Sequence, residues 1–377
     1  MRRSSLIALW GLVLAPALLP AWTDAFDQWQ VAGYAQVLQI VRPDHSLAPA
    51  GALDSNGDAA TGFTQDGLWG QAVEVKISGP LGWPGWSAVM ASHSDFNVAS
   101  LADTYLQWNG AWGLWRAGQL DLPIGWEQQR SGARLVGIQR ALIWGFGNDG
   151  QLGPWGLALV NQRGWGLRWD RVLAWDGGAM DQSAGIFSAN GGDYKGELMG
   201  TARSALRQRM GPLGLGLGLS GMVGRASVLT SYDYAPLGLN DSTGPWQAGE
   251  TVGGKGVVAL GVVDAGVDGG PLHARLELAW EDLVGRLRSG GEGTVWLDLP
   301  GWQRRRPALY GRVEQAVTQW ADGVHRVGSL VRAATVGVSA PLPWGLSLKV
   351  EAQQLWDDDL PAFAGGRIVQ AQLQWDL

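Results

Sequence analysis

The chain offers little for covalent chemistry. Its histidines are His45, His93, His273 and His325, and it has no cysteine. That excludes thiolate catalysis, disulfides, iron–sulfur clusters and covalent c-type haem. A hydrolase would need a histidine within reach of a nucleophile or an acid. The nearest approach is "ASHSD" (91–95), a histidine flanked by serines, which is no recognised signature. The histidines read instead as polar strand-end and loop residues. "DDD" (357–359) could attract a cation but reads as solvated acid, and "RRR" (304–306) reads as a solvated turn. "GLGLGLSG" (214–221) lacks the lysine and the following helix of a phosphate loop. No catalytic residue, metal site or cofactor is assigned, and the expectation is that the chain is not an enzyme.

What remains is electrostatic. Charged residues recur two apart: Glu74 and Lys76; Arg275, Glu277 and, two further on, Ala279 and Glu281; Arg312 and Glu314; Lys349 and Glu351. Glu197 and Arg203 hold equivalent places in their segment. A spacing of two puts side chains on one face of a strand. The intervening residues are apolar: Val73, Val75 and Ile77; Ala274, Leu276, Leu278 and Trp280; Leu346, Leu348, Val350 and Ala352. The last segment sets Val369, Ala371, Leu373 and Trp375 against Gln370, Gln372, Gln374 and Asp376. Most informative is "RMGPLGLGLGLSGMVG" (209–224), where Leu213, Leu215, Leu217 and Leu219 alternate with Gly214, Gly216, Gly218 and Ser220. Such strands have one row for lipid and one for water. The mixed charges of the water row either pair across neighbouring strands or select solutes by charge.

Composition agrees. There are 58 Gly and 23 Trp against 6 Tyr and 6 Phe, and charged residues are only 16%. No stretch after the N-terminus is long and apolar enough for a spanning helix, so apolar residues are dispersed as alternation requires. Tryptophan suits a membrane–water boundary, where its ring is buried and its N–H stays wet. Net charge is −6, and no nucleic-acid partner is expected. The N-terminus, "MRRSSLIALWGLVLAPALLPAWTDA", has the basic, apolar and small-residue parts of a secretory signal peptide, with cleavage placed after Ala25. The expected fold is therefore all-β: a transmembrane antiparallel β-barrel over residues 26–377, with about sixteen strands. Short Gly/Pro turns (79–85, 109–113, 210–214, 268–271, 340–345) alternate with longer polar connections at 41–66, 121–163, 177–194, 226–253 and 284–292. This is the asymmetry of short periplasmic turns and long extracellular loops. Region 141–176 leaves its strand boundaries open.

One block, "ADTYLQWNGAWGLWRAGQLDLPIGWEQQRSG" followed by "IQRALIWGF", resembles the phosphate-selective porin O and P family. The matching positions are Gly118, Gln119, Pro123, Gly125, Glu127 and Arg140, and the order of later elements is similar. The resemblance implies a homotrimeric sixteen-stranded porin in the bacterial outer membrane, surrounded by lipid and passing small hydrophilic or anionic solutes such as phosphate. It implies that the loop 121–163 folds inward as a constriction, with Arg130, Arg134, Arg140, Arg163 and Glu127 as pore or solute-binding residues. By alternation alone, the expected lumen-lining residues are Glu74, Lys76, Arg203, Arg275, Glu277, Arg312, Glu314, Lys349 and Glu351. The chain has only four lysines, Lys76, Lys195, Lys255 and Lys349, so a lysine-rich phosphate path is not evident. Two other readings stay open: a barrel sheathing an electron-transfer partner, and an outer-membrane hydrolase.

Overall fold

The computed structural model describes residues 28–41, 67–94, 99–126, 129, 135, 138, 163–188, 198–231, 251–283, 287–300, 306–317, 330–357 and 366–376. The signal-peptide expectation lies outside these residues. Sixteen strands close into one antiparallel barrel, each paired with its sequence neighbours, and the first pairs with the last. They are β1 Gln30–Val41, β2 Gly67–Pro80, β3 Trp86–Ser94, β4 Ala99–Gly110, β5 Gly113–Asp121, β6 Arg163–Trp175, β7 Gly178–Ser188 and β8 Leu198–Met210, then β9 Leu213–Ser231, β10 Thr251–Gly269, β11 Leu272–Leu283, β12 Leu287–Asp298, β13 Ala308–Val317, β14 Leu330–Pro341, β15 Leu346–Asp357 and β16 Gly366–Asp376. Closure removes the exposed sheet edges that an open sheet would have to protect. No described helix is long and apolar enough to cross a membrane, which says nothing about crossing by strands.

The period-two pattern sets which way each strand faces. Leu213, Leu215, Leu217 and Leu219 are between 38% and 60% exposed on the outer surface, whereas Ser220 is buried on the inner one. Register carries the same division around the sheet: Leu217 opposes Leu206 and Ala265, and Leu278 opposes Val263 and Gly291. Glu74, Lys76, Arg203, Arg275, Glu277, Glu281, Arg312, Glu314, Lys349 and Glu351 share the inward parity. Glu197 lies outside the described residues. Exposed tryptophans collect near the short-turn end, among them Trp83, Trp86, Trp112, Trp175, Trp344 and Trp375, while Trp165, Trp280 and Trp356 lie toward the other end. Two aromatic belts flanking an apolar band mark the two water boundaries of a membrane barrel.

The two ends differ as the turn chemistry predicts. One end has two-residue connections at 111–112, 176–177, 211–212 and 270–271. The other has the long connections 42–66, 122–162 and 232–250, alongside the shorter 95–98 and 284–286. Two sequence expectations are corrected. Residues 177–194, read as a polar loop, contain β7, and 284–292, read as a loop, are largely the start of β12. Within the region 141–176, β6 runs to Trp175 and turns at Asp176–Gly177 (φ +76° at Gly177) into β7. An Asp-Gly pair is a favoured two-residue hairpin turn. The strand count survives because these changes exchange one boundary for another.

Candidate functional site

The inner face of the barrel holds the chemistry, and the segment after β5 enters it. At Gly118 φ is +144°, a conformation that side-chain-bearing residues rarely adopt, and a Cβ there would overlap the Thr104 carbonyl and Tyr105. The chain then leaves the sheet at Asp121. Leu122, Ile124, Leu135 and Ile138 are buried. Gly125 N–H donates to Ser220 Oγ on β9 at 2.9 Å, and Trp126 N–H donates to Glu277 Oε1 on β11 at 2.5 Å. Further on, Ile138 N–H donates to Glu351 Oε1 at 2.6 Å, and Lys349 Nζ donates to the Leu135 carbonyl at 2.7 Å, both on β15. Tyr310 OH on β13 also donates to Glu351 Oε1. From β5 to β15 is six steps around the closed sheet by way of β1. A segment leaving β5 that is tied to both β11 and β15 therefore runs through the barrel interior.

This explains an apolar patch on a wall expected to be polar. Val258, Leu260 and Val262 point inward on β10 and are almost completely buried, as are Met222, Met199, Phe187 and Leu120. Val262 directly opposes Ser220, the residue that holds Gly125. The buried Leu122 and Ile124 precede that anchor, so apolar loop residues and an apolar stretch of wall occupy the same part of the interior. Removing such surface from water contributes about 25 cal/mol per Å².

Charges on the wall are arranged in rows. Asp264, Glu277, Glu292 and Glu314 stand side by side on four adjacent strands, each directly opposite the next. On the other side of β9, Arg116 of β5 directly opposes Arg168 of β6. Like charges directly opposite one another destabilise a sheet unless neighbours offset them. Asp170 does so for the arginines, at 3.1 Å from Arg116 and 2.8 Å from Arg168. Arg203 forms a two-pronged ion pair with Asp264, 2.5 and 2.9 Å long, with both residues buried. Arg312 Nε lies 3.0 Å from Glu314. Nearer the short-turn end, Arg275 binds both Asp268 oxygens at 2.8 Å, with its guanidinium 5.2 Å from the Trp126 ring centre and 5.4 Å from that of Trp296. His273 stacks on Trp296 between Asp268 and Asp298.

The Arg203–Asp264 pair joins β8 to β10 by passing over β9, and Gly218 is what it passes over. A Cβ at Gly218 would lie 2.6 Å from Arg203 Nη2 and overlap the Asp264 carboxylate. At Gly216 the nearest atom would be the Gly266 carbonyl oxygen, 3.9 Å away. Gly216→Ala is therefore expected to leave the melting temperature of the folded barrel near wild type. Gly218→Leu is expected to lower it clearly, because the side chain displaces a buried ion pair. Thermal unfolding followed by circular dichroism compares the two variants, and equal melting temperatures would remove this role for Gly218.

Of the constriction candidates, Glu127, Arg130, Arg134 and Arg140 lie outside the described residues. Arg163 opens β6 with its backbone opposite Asp121, and its side chain is not described. Of the resemblance positions, Gly118, Gln119, Pro123 and Gly125 fall at the end of β5 and the start of the inward segment. His93 lies on β3 with its backbone opposite Glu74. Sequence reasoning missed Asp264, Glu292, Arg116, Arg168, Asp170 and Tyr310, and it placed Ser220 on the water-facing row without giving it a role. For Asp264 the neighbouring residues on both faces of β10 are apolar, so alternation gave no direction. Arg168 and Asp170 fell in the ambiguous region. Among the described residues no His, Asp or Glu cluster is arranged to hold a metal ion.

No family model matches the chain, and no curated protein sequence matches it. Solved structures do. The chain is similar in fold to an anion-selective porin from Comamonas acidovorans, at TM-score 0.53 and 12% identity, covering 93% of this chain and 99% of that one. It is similar to the trimer form of OmpT, an outer-membrane protein of Vibrio cholerae, at TM-score 0.53 and 10% identity with the same coverage. It is also similar to Pseudomonas putida OprB, at TM-score 0.54 and 9% identity, covering 95% of this chain and 96% of that one. At these identities the likeness is one of fold: a closed sixteen-stranded antiparallel β-barrel.

Proposed function

We propose that this chain is a non-enzymatic porin of a Gram-negative outer membrane, exported with a signal peptide cleaved after Ala25 and assembled as a homotrimer. It is a passive diffusion channel for small hydrophilic solutes. The observation that carries this reading is the segment after β5, which enters a wide closed barrel and is hydrogen-bonded to inward side chains of β9, β11 and β15. A sixteen-stranded barrel is wide enough for an aqueous channel, and an inward segment narrows it. The fold likeness to an anion-selective porin and to an outer-membrane protein in a trimer form supports the setting. Proteoliposomes containing the folded protein are expected to swell in isotonic solutions of small sugars and not of large oligosaccharides. Equal exclusion of both, with the barrel folded, would contradict the reading.

Selectivity follows from the wall. Arg116 and Arg168 stand on β5 and β6, Glu277, Glu292 and Glu314 stand on β11–β13, and the Arg203–Asp264 ion pair lies on the wall between them. Opposed rows of charge across a narrow passage orient and select ions. Glu277 holds Trp126, so the chain that continues through Glu127, Arg130, Arg134 and Arg140 starts at the acidic row. We assign these arginines to the constriction, together with Arg163, as an anion path that phosphate could use. Arg140→Ala is expected to shift the zero-current potential in a salt gradient toward cation preference. An unchanged potential and conductance would remove Arg140 from the constriction.

A further inference from the structure

The outer surface of β5–β9 carries a groove. Small outward residues, Ala184 on β7, Gly200 and Ala202 on β8 and Gly221 on β9, leave a groove of about 880 Å³. Leu167 and Ile186 form part of its walls, and Trp112, Trp115 and Trp169 close one end. The lining is almost wholly apolar. The tryptophan end lies at a water boundary, because Trp112 belongs to the two-residue turn between β4 and β5 and is 72% exposed. Trp169 Nε1 donates to the Trp112 carbonyl at 2.8 Å, which fixes that end of the groove.

Arg171 stands beside it. Like Trp169, it points outward on β6, opposite Gln182 of β7. The position of a Cβ on Gly113, the residue after Trp112, is 3.4 Å from Arg171 Cβ and 2.9 Å from Trp169 Nε1. Among the described residues Arg171 has no hydrogen-bond or ion-pair partner. An unpaired guanidinium on a lipid-facing surface is costly away from the headgroup layer. At the turn level it can reach phosphate oxygens, which guanidinium binds with a matching two-donor geometry.

We infer that this face holds one phospholipid, its phosphoryl headgroup on Arg171 and an acyl chain in the groove between Trp115, Leu167, Ile186 and Ala202. The cation and the apolar groove are the two ends of one amphipathic ligand. The inference takes its membrane setting from the porin reading, but its test does not use channel activity. Native mass spectrometry of the folded barrel in detergent, titrated with phosphatidylglycerol, gives the number and affinity of bound lipids. Wild type is expected to retain one lipid. Arg171→Gln removes the charge and is expected to weaken that binding about tenfold, the loss of roughly one charge-assisted hydrogen bond; Ala202→Leu fills the groove and is expected to weaken it by a similar factor by excluding the acyl chain. Arg367→Gln, on the outer face of β16, is expected to bind as wild type does. The inference is overturned if both groove variants bind lipid like wild type, or if inorganic phosphate alone displaces the lipid from Arg171. It is also overturned if Ala202→Leu changes the oligomeric mass while lipid binding is unaffected, which would make the occupant a second copy of the chain.

Discussion

Combining Glu351→Ala with Lys349→Ala is expected to raise the single-channel conductance and make it noisier. These two side chains are the described attachments of the inward segment to β15: Glu351 accepts from Ile138 N–H, and Lys349 donates to the Leu135 carbonyl. Each is a hydrogen bond to a charged group, worth about 1.5–3 kcal/mol net. Losing one shifts the ratio of docked to undocked segment by about tenfold to a hundredfold. Losing both leaves the far part of the segment held only by its remaining contacts. The anchors at Ser220 and Glu277 persist, so the segment loosens from one side without leaving the barrel. Glu351→Gln keeps an acceptor oxygen and is expected to stay close to wild type in mean conductance. The measurement is the distribution of step sizes in planar bilayers. An unchanged distribution for the double variant, with thermal stability retained, would mean that this segment does not limit flow.

Asp264→Ala is expected to be the most destabilising single change on the wall, by about 3–5 kcal/mol, because it leaves the buried Arg203 without its counter-ion. The double variant Arg203→Met with Asp264→Leu is expected to recover much of that loss, since apolar replacement of a buried pair is often neutral or better. Thermal unfolding followed by circular dichroism, with the shift between folded and unfolded bands on gels as a second readout, gives the order. If the single variant is as stable as the double, the pair is not buried in the sense argued, and Gly218 has no pair to accommodate.

The barrel was legible because its signal is repetitive. A row of Leu opposite a row of Gly and Ser in β9 reads as two solvents on two faces, and the same rule oriented β2, β11, β15 and β16. It failed where polar residues and glycines interrupt both rows. In β7 the outward row includes Gly178, Gln182 and Ser188 and the inward row Asp181 and Ser183, so only the Asp176–Gly177 turn signalled a hairpin. The first half of β12, with Gly290, Gly291 and Gly293, has few side chains to alternate. The candidate site was less legible for a different reason. Asp264, Glu277, Glu292 and Glu314 form a row only through strand register, and nothing in their spacing announces it. The inward Val258, Leu260 and Val262 make physical sense only once the chain after β5 is inside the barrel.

Single-channel recording of the purified wild-type protein in planar lipid bilayers distinguishes an open channel from a closed barrel. Discrete, ohmic conductance steps are expected, with a zero-current potential in a salt gradient that shows ion preference. Absence of any conductance from protein whose barrel is intact by circular dichroism and by its heat-sensitive gel mobility would contradict an open channel.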